Sequence, residues 1–136
     1  MYDILIAVLV AGFGAQVVKI LIETIQGKKT WKDPLVYGGM PSSHAAFVGS
    51  LVTSIGLKDG LTSATFAIAL VFAILVIRDA AGLRRRIGYH GAAIEKLITD
   101  VKDKSAFPPI TTRLGHTPLE ITAGLILGAV VAALIV

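Results

Sequence analysis

Residues 118–136 read PLEITAGLILGAVVAALIV, and after Glu120 sixteen consecutive residues carry no charge. The stretch is nearly pure aliphatic and glycine, and a bilayer crossing takes about 20 such residues. Thr117-Pro118-Leu119-Glu120 precedes the run as a capping box with proline at the first helical position, so a helix is expected to begin there.

Three further segments share this character. Ile4 to Ile25 is interrupted only by Gln16, Lys19 and Glu23, and Leu61 to Ile77 is apolar apart from small hydroxyl residues near its start. Ser42 to Leu57 is shorter, which suits either a full crossing or a partly re-entrant segment buried in protein. The N-terminal segment lacks a basic leader and stays apolar past Val18, so it reads as a retained membrane helix rather than a cleaved signal peptide. Composition agrees. The chain is 54% hydrophobic and 16% charged, with a mean hydropathy of +0.78, whereas soluble domains carry about 25% charged residues.

With no cysteine, disulfides and thiolate metal sites are excluded. The net charge of +4 does not point to nucleic acid, because the basic residues cluster between apolar segments, as membrane topology requires. Gly27 to Gly38 carries Lys28, Lys29 and Lys32 against Asp33, and Arg78 to Arg113 carries eight Lys or Arg residues. The link between the second and third segments holds only Lys58 and Asp59. The positive-inside rule therefore makes the first and third connections cytoplasmic and puts both termini outside. His44, Asp79 and His116 then fall on one face, the cytoplasmic one. In the third connection, Ile94, Leu97, Ile98 and Val101 recur at helical spacing within Gly91 to Lys104, which predicts an amphipathic interfacial helix. The expected fold is all-α: a single domain, residues 1–136, forming a membrane helical bundle of four transmembrane helices plus that interfacial helix.

Three polar constellations border these helices. Gly38-Gly39-Met40-Pro41-Ser42-Ser43-His44 turns the chain into the second segment. Ser42 reads first as an N-cap, yet the same arrangement offers unpaired backbone N–H groups, with Ser43 and His44 beside them, to a phosphate. In Arg113-Leu114-Gly115-His116-Thr117-Pro118-Leu119-Glu120, the carboxylate of Glu120 lies four residues from His116. It can cap the helix, and it can also fix the imidazole tautomer and free the other ring nitrogen as a nucleophile or base. Arg113 precedes His116 by one turn, as a phosphate clamp would. Arg78-Asp79-Ala80-Ala81-Gly82-Leu83-Arg84-Arg85-Arg86 ends the third segment, and its arginines suit both topology and an anionic ligand. Asp79 calls for a partner among Lys19 and these arginines. Lys19 itself either pairs with Glu23 or points into the bundle toward a phosphate. His90 has no such setting. Two histidines, two helix N-termini and several cations at one face suit phosphoryl transfer, with no cofactor and no metal expected.

Taken in order, GGMPSSHAAF, RDAAGLRRR and LGHTPLEITAG resemble the divergent branch of the type 2 phosphatidic acid phosphatase and vanadium haloperoxidase superfamily, from about Gln16 to Gly128. The resemblance implies that His116 forms a phosphohistidine, that Glu120 orients it, and that His44 is the leaving-group acid. Ser42 and Ser43 would lie in the phosphate cradle. The superfamily's Lys-x6-Arg-Pro motif survives only as Lys19, Ser43 replaces a glycine, and Arg113 is separated from the histidine by two residues instead of five. Arg84, Arg85 or Arg78 would then supply the clamp, with Lys19 and Asp79 nearby. Two functions follow from the resemblance: a phosphatase acting on a lipid phosphate or diphosphate, or a binder or translocator of phosphorylated lipid that does not hydrolyse it. Either partner is a phosphorylated lipid in a membrane, in keeping with a plasma-membrane location. Gly124-x3-Gly128 suits a homodimer as well as packing within one chain.

Overall fold

The computed structural model describes residues 2–27, 39–99, 107, 110 and 114–136. The elements among them are all helical: α1 (Tyr2–Ile25), α2 (Ser43–Asp59), α3 (Ala64–Arg78), a π-helical turn (Asp79–Leu83), α4 (Arg84–Leu97) and α5 (Pro118–Ile135). The chain is a helical membrane bundle. α1, the continuous stretch Ala64–Leu97 and α5 are each long and apolar enough to cross a bilayer.

The shortest of the four apolar segments forms the centre. α2 is one unbroken helix of 17 residues, about 25 Å long at 1.5 Å per residue, and α1, α3 and α5 all pack on it. Lys58 in its last turn pairs with Asp3 in the first turn of α1, so α1 and α2 run antiparallel along most of their length. α2 and α5 run parallel. Gly124 faces Ser42 and Ala45, Gly128 faces Ala46 and Ser50, and Ser42 N–H donates to the Glu120 carbonyl at 3.0 Å. A Cβ on either glycine would lie 2.3 Å from a backbone oxygen of α2. The glycine pair thus serves a contact within the chain, where the two backbones nearly touch.

Small residues lie inside and large ones outside. Ala11, Ala15 and Ala46 form the buried core with Leu127 and Val131 against it, while Leu5, Leu9, Phe13 and Phe72 are exposed. This inverts the soluble pattern for a physical reason. Lipid tails are as apolar as leucine, so helices gain by close approach of small side chains rather than by burying large ones.

One boundary differs from the expectation. The spacing predicts the interfacial helix at Gly91 to Lys104, whereas α4 begins at Arg84, ends at Leu97, and continues α3 through the π turn. The 34 residues from Ala64 to Leu97 extend about 51 Å, well beyond a hydrocarbon core of about 30 Å. The charges after Ile77 end the apolar segment without ending the helix, since arginine, lysine and glutamate are good helix formers. Val101 and Lys104 lie outside the described residues, and Ile94 and Leu97 are exposed on α4.

Candidate active site

The parallel pairing of α2 and α5 brings two helix N-termini to the same end of the bundle. At α2, Ser42 is the N-cap: fully buried, with its Oγ accepting weakly from Ala45 N–H at 3.4 Å. Ser43 and His44 occupy the first turn, where backbone N–H groups have no intrahelical acceptor. At α5, Thr117 Oγ1 accepts from Glu120 N–H at 3.3 Å, and Glu120 Oε2 accepts from Thr117 N–H at 3.0 Å, completing the expected capping box.

The same Glu120 Oε2 lies 3.2 Å from His116 Nδ1. With a carboxylate there as acceptor, Nδ1 carries the proton and the Nε2 lone pair is free. The imidazole is only 6% exposed. Burial pushes it below the ordinary histidine value of 6.5 and the Lys19 ammonium adds to this, while the Glu120 hydrogen bond and the Gly39 backbone pull the other way. Burial thus favours the neutral ring, whose Nε2 carries the free lone pair.

His44 faces it, with ring centroids 6.3 Å apart and ring planes at 54°. Its Nδ1 is buried with no hydrogen-bond partner among the described residues, an arrangement that buried polar atoms rarely keep.

The π turn explains the middle motif. His116 N–H donates to the Ala80 carbonyl at 3.0 Å, which ties the loop before α5 to the junction of α3 and α4. Gly115 has φ +85°, and a Cβ there would stand 2.6 Å from the Arg85 backbone nitrogen, so only glycine fits between the two. RDAAGLRRR thus docks the histidine loop through its backbone. Of its side chains, Arg84 Nε pairs with Asp79 Oδ2 at 2.8 Å, and both groups act electrostatically on His44. The Arg85 guanidinium lies over the Tyr89 ring, 5.7 Å from its centroid, and Arg78 is exposed on the surface. His90 is exposed on α4, and Arg113 lies outside the described residues.

Lys19 points inward. It is 1% exposed and interacts with Glu23 and Glu120, the compensation that a buried ammonium requires. Sequence reasoning treated Glu23 as no more than a helix-internal partner for that lysine. In the structure Glu23 is itself 7% exposed, and one carboxylate oxygen, Oε2, has no partner among the described residues. Its Oε1 would lie 2.6 Å from a Cβ on Gly39, whose φ of +86° also selects glycine. An acidic residue four positions from a lysine in an apolar run was the available signal, and it concealed a carboxylate at the wall of the site. No group of three or more His, Asp or Glu among the described residues is arranged to hold a metal ion.

This end of the bundle thus joins Lys19, Glu23, Ser42, His44, His116 and Glu120, from three helices remote in sequence. The match to known proteins follows the same span: residues 2–131 fit the description of the Divergent PAP2 family.

The chain belongs to that family. A membrane protein of Bacillus subtilis (strain 168), YuiD, is 37% identical over 134 residues, covering 88% of this chain and 85% of its own length. No solved structure matches the chain. In this PAP2-like membrane protein the first turn of α2 and the residue two before α5 bring His44 and His116 together, with ring centroids 6.3 Å apart.

Proposed function

We propose that the protein is an integral membrane phosphatase that hydrolyses a lipid phosphate or diphosphate through a phosphohistidine. The observation that carries this reading is the pair of imidazoles: His116 is held by Glu120 through Nδ1, and His44 is 6.3 Å away with a ring nitrogen that has no partner among the described residues. Nε2 of His116 attacks phosphorus in line, and the phosphorus–oxygen bond to the lipid breaks as His44 gives a proton to the departing oxygen. Water then attacks the phosphohistidine, with His44 taking its proton, and inorganic phosphate leaves. The N-terminal N–H groups of α2, Ser43 and the Lys19 ammonium stabilise the equatorial oxygens.

The basic connections support a site at the cytoplasmic face, and we read the membrane as the plasma membrane. Phosphate release from mixed micelles of phosphatidic acid, phosphatidylglycerophosphate or a polyprenyl phosphate tests the proposal. It should be inhibited by vanadate and lost in His116→Ala. Wild-type turnover in that variant would refute the nucleophile assignment.

One observation favours a second reading, in which phosphorylated lipid is bound or moved without hydrolysis. Arg84 is held by Asp79, which leaves one fewer guanidinium to clamp the phosphoryl oxygens. Saturable binding of lipid phosphate by folded protein, with no phosphate released from any lipid of the panel, would select it.

A further inference from the structure

A cleft of about 280 Å³ starts at the site and runs into the membrane part of the bundle. α1 and α3 pack on α2 from two sides. Between them His44, Phe47 and Leu51 form one face of α2, walled by Val8 from α1 and by Phe72 and Val76 from α3. The α2 residues fall at successive turns of that face, so the cleft descends about 10 Å from His44 to Leu51. Except for His44, every one of these side chains is a hydrocarbon. Phe72 is more than half exposed, so the cleft opens sideways to the bilayer.

We propose that this cleft seats the hydrocarbon chain of the phosphorylated substrate, with the chain-bearing oxygen at His44; the inference rests on reading the histidine pair as a phosphate site. Three features select this occupant. A volume of about 280 Å³ is less than even two turns of another helix, about 10 Å across, would fill. Its lining is hydrocarbon up to the end that His44 closes, which suits a chain whose polar head lies at that end. And the ring that closes the cleft is the one facing His116, so a chain lying in it delivers its head to both imidazoles. The protein would then choose substrates by a single chain running beside α2 and discriminate weakly among groups on the other side of the phosphate.

A decyl phosphate carrying a diazirine near the end of its chain tests this in detergent-solubilised, full-length protein. After photolysis, mass spectrometry should find the label on peptides containing Leu51 or Phe72. Decyl phosphate should compete it away and decanol should not. Leu51→Trp, and independently Val8→Trp, should each lower labelling at Phe72 by about five-fold or more, since overfilling a packed site is costly. Both proteins are first checked to be helical and monodisperse. Labelling spread over the outer faces of α1 and α5, or displaced equally by decanol, would overturn the proposal and mark the cleft as filled by bulk lipid. Phosphate release measured on the same samples separates the two ideas. Release without cleft labelling removes this inference and leaves the phosphatase, whereas labelling without release keeps the cleft and removes hydrolysis.

Discussion

Glu120 Oε2 accepts from His116 Nδ1 at 3.2 Å and from the Thr117 backbone N–H at 3.0 Å, so one oxygen both starts α5 and orients the buried imidazole. The two roles can be separated. Glutamine also serves at the third position of a capping box, but its neutral amide cannot stabilise the imidazolium character that develops as Nε2 attacks. Glu120→Gln should keep the thermal midpoint within a few degrees of wild type and lower kcat by about 10²-fold or more. Circular dichroism melts beside phosphate-release kinetics check this. Equal losses of stability and turnover would mean that Glu120 is only a cap.

The burial of His116 sets the sign of the pH response. Its folded-state value lies below the ordinary 6.5, chiefly through desolvation. The folded protein therefore binds fewer protons than the unfolded chain between those two values, and stability falls as pH drops through that window. Above 6.5 the contribution is complete. The acidic limb of kcat/KM should likewise lie below 6.5, and Glu120→Gln should move it lower still by removing a carboxylate that favours the charged ring. A limb above 6.5 would contradict the buried, neutral nucleophile.

The parallel contact of α2 and α5 makes a sharp prediction about methyl groups. A Cβ at Gly128 would meet Ala46 O at 2.3 Å and Ser50 N at 2.7 Å, backbone atoms that cannot swing aside. Gly128→Ala should lower stability by about 1–3 kcal/mol, the usual cost of overpacking. Gly14, on α1, has nothing within 4 Å of the added atom, so Gly14→Ala should be neutral or stabilising by up to about 1 kcal/mol. Melting in detergent of the two variants side by side measures the difference.

Orientation in the membrane has a direct readout. Asp59 ends α2 at the bundle end away from the histidines, and Lys96 is exposed near the end of α4. In intact cells an impermeant maleimide should label Asp59→Cys and spare Lys96→Cys, and inverted vesicles should reverse the pattern. Labelling of Lys96→Cys from outside would turn the site toward the exterior.

Much of this arrangement was legible in the chain because a bilayer imposes simple rules. Runs of uncharged residues gave the helices, and the basic connections gave a layout in which His44, Asp79 and His116 share one end, as the antiparallel and parallel contacts of α2 require. The capping box at Thr117 and the N-cap at Ser42 were readable because each is a local pattern of a few residues. Packing was not readable. That the shortest helix is central depends on backbone approach at Gly124 and Gly128, which a hydropathy profile does not register. Nor did the charges after Ile77 reveal that α3 runs on into α4, or that RDAAGLRRR works through the Ala80 carbonyl and the Arg85 backbone. Glu23 escaped notice because its role arises from a contact with Gly39, sixteen residues away in sequence.

Nε2 of His116 should carry the phosphoryl group during turnover, and that intermediate can be trapped. Protein mixed with a radiolabelled lipid phosphate is quenched within the first turnover in alkali, where phosphohistidine survives, and digested for peptide mapping. An alkali-stable, acid-labile label should appear on the peptide bearing His116, form and decay more slowly in His44→Ala, which lacks both the acid for the departing oxygen and the base for water, and be absent in His116→Ala. Phosphate release with no such label at any time, or a label that persists in His116→Ala, would contradict it.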